Sequence, residues 1–327
     1  MKQDETHANS DLIALPGIRS HRALLPDRFL PLDELDVSSP HENLRAFGFD
    51  GAWIGDDIHA LALKAGQGAL DAAGLKAEEI GALLCGGALP SAHLRQSEKP
   101  GDTGLLGMFC YQASWLQDAL GLERAFISGV AQQGCAGMFS ALRQARALLM
   151  AEPDLEHVLC VGADAFPQGA MREVLYNVVS DAACAVVVSR ENLRYRWLAH
   201  HQISKGWYWD VPTRQSEIIA AYFPTAAMTV RRVLAKADLK AGDVDLVIPT
   251  GVNAASWPIL LRLCGIPEDR LFIPRQRFGH TIAADSFLML EQARATGVLR
   301  PGQRVLLFAY GFGSSWSAII LEITDLI

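Results

Sequence analysis

The sequence predicts an α/β protein built from two homologous halves around a central β-sheet structure. Two observations support this: two pairs of segments repeat in the same order, and the strands that follow the repeated helices are almost continuously apolar. Such strands are buried on both faces, so helices must cover them. At 327 residues the chain also exceeds one simple core, and one large or two fused units are expected.

The first repeat pairs residues 75–87, LKAEEIGALLCGG, with residues 239–251, LKAGDVDLVIPTG. The initial Leu-Lys-Ala and the final Gly match at one constant offset. Each copy follows a helix-like stretch and enters an apolar run suited to a buried strand. The pattern predicts that both halves contain the same helix–turn–strand unit.

The second repeat pairs residues 134–166 with residues 279–313, which share Gln-Ala-Arg and Val-Leu in the same order. Both segments run from a glycine turn through a helix and a polar turn to an apolar strand with a glycine-rich end. We therefore expect an N-terminal half over 1–190 and a C-terminal half over 191–327. The repeat also suggests equivalent positions for Cys135 and His280, each after a glycine at the start of a helix.

Composition and charge exclude several classes of function. The formal net charge of −7 argues against a general nucleic-acid binder, which needs a basic surface. No apolar stretch reaches the roughly 18 residues of a membrane span, and the polar, acidic N-terminus is unlike a secretory signal, so we expect a cytoplasmic protein. The six cysteines form no CxxC pair or zinc-spaced cluster, so neither a metal nor disulfides are expected.

Cys135 is the sharpest chemical feature of the chain. It lies between small residues in Gly-Cys-Ala-Gly and precedes strong helix formers. Small neighbours would let a substrate carbonyl approach the sulfur, and a helix N-terminus favours a thiolate. The residues alone leave two interpretations open, a nucleophile or a buried structural thiol.

From about residue 50 onward the chain resembles the thiolase superfamily, and within it the 3-oxoacyl-acyl-carrier-protein synthase III branch. The resemblance rests on QQGCAGMFSALRQA around Cys135, VLCVGAD at 158–164, VVSDAACAVVVS at 178–189, and the later segments FGHTIAADSFLMLEQA and LLFAYGFGSSWSA. It implies a duplicated thiolase-like fold with αβαβα layers and two central mixed sheets. It also implies an acyl thioester on Cys135 and a homodimer, for which the apolar segment 108–120 is a candidate interface.

The chain departs from this family at two catalytic positions. Decarboxylating members pair the cysteine with a histidine in a His-Gln-Ala-Asn-like motif and an asparagine in a Gly-Asn-Thr-Ser-like motif. Here the first segment reads Pro-Thr-Gly-Val-Asn over 249–253, so Thr250 replaces the histidine and Asn253 remains nearby. The second reads Gly-His-Thr over 279–281, so His280 replaces the asparagine. One histidine is lost and another is gained on the opposite side.

This exchange changes the predicted chemistry. Two neutral donors stabilise the enolate left by decarboxylation, whereas a threonine hydroxyl is a weaker donor. His280 still suffices as a base for a thiol, hydroxyl or amine. Asp285 would orient His280, or would be a solvated carboxylate at a helix start. In the family, the loop equivalent to 310–316 supplies an oxyanion-hole N–H, which we assign to the region of Phe312 and Gly313.

The sequence therefore predicts an acyltransferase similar to 3-oxoacyl-acyl-carrier-protein synthase III. Acyl-CoA or an acyl carrier protein would deliver the acyl group to Cys135, and an O, N, S or carbon acceptor would receive it, in secondary metabolism. No permanently bound cofactor is expected. The alternatives are a decarboxylating Claisen condensing enzyme and a non-catalytic partner of an active paralogue. The aromatic stretch 207–209 either lines a pocket or fastens a loop.

Overall fold

The computed structural model describes residues 15–88, 109–167 and 169–326. Its strands are β1 Gly17–Leu24, β2 Arg28–Pro31, β3 Gly51–Ile54, β4 Ala82–Gly86, β5 Phe126–Val130, β6 His157–Asp164, β7 Glu173–Val174, β8 Asn177–Val178, β9 Ala182–Ser189, β10 Tyr195–Ser204, β11 Leu246–Ile248, β12 Arg304–Gly311 and β13 Ser315–Ile323. Its helices are α1 His41–Ala46, α2 Ile58–Ala73, α3 Gln112–Ala119, α4 Gly137–Ala151, α5 Gln215–Lys236, α6 Ser256–Cys264 and α7 Asp285–Ala295.

The main sheet consists of two groups of strands with the same internal arrangement. The first has the order β5-β4-β6-β9-β1 and the second has the order β11-β12-β13-β10. In each group a parallel pair, β4–β6 or β11–β12, is followed by antiparallel pairs. Leu271 bridges β11 in parallel at Val247, in the place that β5 occupies beside β4. A single β1–β10 pairing, Ile18 with Tyr195, joins the two predicted sheets into one nine-stranded order.

Helices cover these strands in the five predicted layers. Helices α4 and α7 lie in the middle, because their buried residues share one cluster with both groups of strands. Helices α2 and α3 cover the outer face of the first group, and α5 and α6 that of the second. Along β6, Val158 and Cys160 face the middle helices, whereas Leu159 and Val161 face the outer ones. Burial on both faces explains the continuously apolar strands, and the predicted α/β thiolase-like fold is confirmed.

The first sequence repeat corresponds to the same turn in both halves. The backbone N–H of Lys76 donates to Glu79 Oε2 at 2.7 Å, and that of Lys240 donates to Asp243 Oδ2 at 2.7 Å. Each bond closes a short 3-10 turn between a helix and a buried strand, first β4 and then β11. We propose that the halves divide near residue 190, between β9 and β10, because each side then carries one copy of both repeats.

Helix α5 is both long and apolar. It has 22 residues, and 18 of them in a row reach a mean hydropathy of 1.2, so it is the one helix in the described ranges that could cross a membrane by length and composition. Its buried residues Val230, Val233 and Leu234, however, pack in the cluster formed with β10, β12 and β13. Such packing is typical of a core helix, and α5 forms one wall of the cavity described below.

Candidate active site

Cys135 lies in the 3-10 turn Gly134–Ala136, immediately before α4. The turn is in close contact with the loop that follows β12. A Cβ atom on Gly134 would lie 2.5 Å from the Phe312 nitrogen, and one on Gly311 would lie 1.8 Å from the Gln133 oxygen. Gly134 also adopts a φ of +50°, which favours glycine. The glycines beside Cys135 and in the 310–316 motif therefore bring these two loops together.

His280 lies in an extended segment rather than at a helix start. Its N–H donates to the Val178 carbonyl at 2.8 Å, and its carbonyl accepts from the Ser180 N–H at 2.9 Å. The 3-10 turn Ile282–Ala284 leads directly into α7 and begins two residues after His280, whereas Cys135 lies inside the 3-10 turn that leads into α4. The suggested equivalence of Cys135 and His280 therefore does not hold in detail, because pairing with residues 178–180 fixes the histidine ahead of its helix.

The structure brings Cys135, His280 and Asp285 into one hydrogen-bonded relay. Cys135 Sγ lies 3.2 Å from His280 Nε2, and His280 Nδ1 lies 2.6 Å from Asp285 Oδ2. The other carboxylate oxygen, Oδ1, accepts from the Thr281 N–H at 2.6 Å and from the Thr281 hydroxyl at 2.7 Å. Asp285 is 2% exposed, so it is not the solvated helix-start carboxylate of the alternative interpretation.

The electrostatics of the relay favour a charged imidazole ring. Burial by itself lowers the pKa of His280, because a buried cation loses its hydration. The negative charges of Asp285 and Cys135, together with their hydrogen bonds to the ring, outweigh this effect and raise the pKa well above its usual value. Since Nδ1 donates to Asp285, Nε2 is the nitrogen that exchanges a proton with the sulfur.

The segment after β11 shields the carboxylate from solvent. A Cβ atom on Gly251 would lie 2.0 Å from the Gly279 oxygen and 3.0 Å from Asp285 Oδ1, so only a glycine permits this contact. The neighbouring Thr250 lines the cavity that contains Cys135 and His280. The residue that the sequence resemblance places at the family's histidine position thus lines the same cavity.

The relay faces a cavity of about 750 Å³. The predicted site residues that line it are Cys135, His280, Thr250, Asn253, Phe312 and Gly313. Asp285 lies behind the histidine ring instead. The Asn253 side chain also has a structural contact, because its Oδ1 accepts from the Ala255 N–H at 3.0 Å and holds the turn before α6.

The aromatic stretch 207–209 both lines the cavity and fastens a loop, through different residues. Trp209 lines the cavity. Trp207 fastens the loop, because its Nε1 donates to Glu217 Oε2 at 2.9 Å and the Arg214 guanidinium lies 3.9 Å from its ring centre. Tyr208 packs against Trp316 in the outer core.

Sequence reasoning missed three residues of the site. Thr281 binds the Asp285 carboxylate, and the rings of Tyr310 and Tyr222 line the cavity. Thr281 follows His280 directly, and Tyr310 begins the glycine-rich motif, so both could have been found by their position. Tyr222 has no such signal, since only tertiary packing of α5 brings it to the cavity.

Comparisons with known proteins agree with this fold. The family model described as 3-oxoacyl-[acyl-carrier-protein] synthase III matches residues 131–206, and the model of the C-terminal part of that enzyme matches residues 234–323. The β-ketoacyl-[acyl-carrier-protein] synthase III of Cereibacter sphaeroides is 28% identical over 91% of this chain and 96% of its own length. The protein of the same name from Nitratidesulfovibrio vulgaris is 44% identical, over 28% of this chain and 27% of its own length.

Solved structures show the same architecture. The 3-oxoacyl-[acyl-carrier-protein] synthase III of Aquifex aeolicus superposes with a TM-score of 0.77 at 23% identity, covering 94% of this chain and 99% of its own. The enzyme of that name from Pseudomonas aeruginosa gives a TM-score of 0.79 at 22% identity, with 96% and 99% covered. This chain therefore belongs to the thiolase superfamily, in its 3-oxoacyl-acyl-carrier-protein synthase III-like branch, and is an acyl-transferring or condensing enzyme.

Proposed function

We propose that this protein transfers an acyl group, without decarboxylation, from coenzyme A or a carrier protein to a nucleophilic acceptor. The observation that carries the proposal is the relay of Cys135, His280 and Asp285 beside the cavity, with Thr250 in the histidine position of the decarboxylating relatives. A base aligned with a thiol by a buried carboxylate is the arrangement that activates a cysteine nucleophile.

The first half-reaction loads the enzyme. In the resting site His280 Nε2, 3.2 Å from the sulfur, already holds the proton of Cys135, and Asp285 stabilises this imidazolium. The thiolate attacks the thioester carbonyl carbon, and the carbon–sulfur bond to the carrier breaks. The departing carrier thiolate takes the proton from His280, which leaves an acyl thioester on Cys135 and a free carrier thiol.

The second half-reaction repeats these steps with the acceptor. His280 Nε2 removes a proton from the acceptor hydroxyl, amine or thiol, which attacks the Cys135 thioester. The carbon–sulfur bond then breaks, which restores the Cys135 thiolate beside the His280 imidazolium. We assign stabilisation of the oxyanion in both steps to the backbone N–H groups of Cys135 and the Phe312–Gly313 region, because these two loops are in contact across Gly134.

Thr250 argues against decarboxylative condensation as the main activity. Loss of carbon dioxide from a malonyl thioester leaves an enolate that needs strong neutral donors. In this cavity the enolate would meet a charged His280, which is already hydrogen-bonded to Asp285 and Cys135, and a threonine. These residues do not supply the two neutral donors that the enolate needs. One protein of similar structure, ChlB3, is described as an acyltransferase and superposes with a TM-score of 0.78 at 22% identity. A role in secondary metabolism fits such a departure from the condensing pair.

We also propose a homodimer, paired through β5. This strand lies at the edge of the sheet, where unpaired backbone groups are available to a second chain. Exposed aromatic side chains accompany it, namely Phe126 at 44%, Phe109 at 62% and Tyr111 at 51% exposure. The last two fall in the predicted interface 108–120, of which residue 108 lies outside the described residues.

The loading step predicts a covalent product. Incubation with an acyl-CoA should add one acyl mass to a peptide containing Cys135, and Cys135→Ala should abolish the addition. His280→Ala should slow both loading and transfer by about 10²–10⁴-fold, the usual contribution of a general base, whereas the matched control His41→Ala should not. Intact and peptide mass spectrometry measure these outcomes. Absence of any acyl mass would indicate that the protein is a non-catalytic partner of an active paralogue. Labelling of another cysteine would refute the assignment of Cys135 as the nucleophile.

Because Thr250 is a weaker donor than a histidine, malonyl thioesters should not be decarboxylated at an appreciable rate. The measurement is release of carbon dioxide from malonyl-CoA and malonyl carrier protein by the wild-type enzyme. Thr250→His should gain some of this activity, because it restores a donor aimed at the enolate oxygen, and Thr250→Ser serves as its control. Rapid release by the wild type would show that the enzyme is a condensing one instead.

Pairing through β5 predicts a dimer in solution whose interface buries more than about 1,000 Å² in total. Light scattering at micromolar concentration should give twice the monomer mass. Phe126→Glu should weaken the dimer, because it places a charge in the apolar contact, whereas Phe29→Glu, at an exposed aromatic residue on β2, should leave the mass unchanged. A wild-type monomer would contradict the proposal.

A further inference from the structure

The cavity beside Cys135 has an unusual lining. Six of the 24 described residues that line it are aromatic, three times the 8% of the whole chain. They are Phe166, Trp209, Tyr222, Phe223, Tyr310 and Phe312. Among the described residues that line it, there is no lysine, arginine, aspartate or glutamate. The charged His280 ring is already paired with Cys135 and Asp285, so the rest of the described lining suits a neutral ligand with apolar faces.

Three of these rings form a fixed corner next to the nucleophile. The ring centres of Tyr222 and Tyr310 lie 5.2 Å apart at 89°, and those of Tyr310 and Phe312 lie 5.7 Å apart at 78°. All three rings line the cavity, so a planar ligand ring bound there can contact two of them at once.

The corner is supported from behind. The fully buried ring of Trp316 lies 4.9 Å from that of Tyr310, and the Tyr310 hydroxyl is 3.0 Å from Ser314 Oγ. A wall held in this way is organised before the ligand arrives, so ligand binding does not have to order it.

The position of the aromatic corner beside Cys135 identifies the substrate group that its rings would contact. Phe312 belongs to the loop that packs against Gly134, next to Cys135. Burial raises the pKa of Tyr310 to about 12, a hydrogen bond with Ser314 opposes this, and the negative charge of Cys135 adds to it. Tyr310 therefore keeps its proton at neutral pH, and it lines the same cavity as Cys135. The substrate group nearest to that sulfur is the acyl group of the thioester.

We propose that this cavity selects an acyl group bearing a planar aromatic ring, and that Tyr222 and Tyr310 determine the preference. The inference rests on the proposed thioester chemistry and adds the class of acyl donor to it. The charged part of coenzyme A remains outside, while the pantetheine arm and the ring enter the cavity.

The test compares phenylacetyl-CoA with octanoyl-CoA, which carry the same number of acyl carbons and the same kind of carbon beside the carbonyl. The second-order rate of Cys135 acylation, followed by intact mass, should favour phenylacetyl-CoA by about tenfold, as expected for two favourable ring contacts. Tyr222→Leu and Tyr310→Leu, which keep apolar volume but remove a ring, should each reduce the ratio, whereas the control Phe29→Leu should retain it. A ratio near one or in favour of octanoyl-CoA would overturn the inference.

A second measurement separates this inference from the proposed function. Cys135→Ala cannot be acylated, and calorimetry with this variant gives the affinities for the two thioesters directly. Tighter binding of phenylacetyl-CoA without acylation of the wild type would support the ring preference and contradict the thioester chemistry. Acylation of the wild type with equal affinities and equal rates for both donors would support the chemistry and contradict the ring preference.

Discussion

The buried hydrogen bond between His280 Nδ1 and Asp285 Oδ2 is the interaction on which the site depends. It is 2.6 Å long, and it fixes both the orientation and the charge of the ring that faces Cys135. An isolated buried carboxylate would be costly. Here one oxygen binds the histidine and the other accepts two bonds from Thr281, so the charge is compensated. The site therefore resembles a hydrolase triad in its logic, although its residues come from two halves of a duplicated fold.

Backbone contacts that only glycine allows bring those halves together. Gly134 and Gly311 join the nucleophile turn to the loop after β12, and Gly279 lies against Val178, where a Cβ atom would be 2.8 Å from the carbonyl oxygen. These contacts place Cys135 from the first half opposite His280 from the second. A side chain at any of these glycines would push the loops apart and lengthen the 3.2 Å contact between Cys135 Sγ and His280 Nε2. The same packing produces the enclosed cavity and its aromatic corner.

The fold and the relay could be predicted largely from the sequence, because both leave local signals. Repeated Leu-Lys-Ala turns mark equivalent units, and continuously apolar strands mark burial on both faces. The register of His280 could not be predicted, since it depends on pairing with residues 178–180, which are distant in sequence. Tyr222 was missed for a similar reason, because its role follows from where α5 packs. The roles assigned to Cys135, His280 and Asp285 remain predictions that the geometry supports.

The central claim is that Asp285 keeps the His280 ring charged beside Cys135. The most direct measurement is a pH titration of the enzyme labelled with ¹⁵N-histidine, followed by the ring nitrogen shifts of His280, with His280→Asn used to assign its signals. We expect the ring to keep its proton well above pH 6.5, the ordinary pKa of histidine, and Asp285→Asn to lose it at a lower pH. A wild-type ring that is already neutral at pH 6.5, or that titrates identically in Asp285→Asn, would contradict the account.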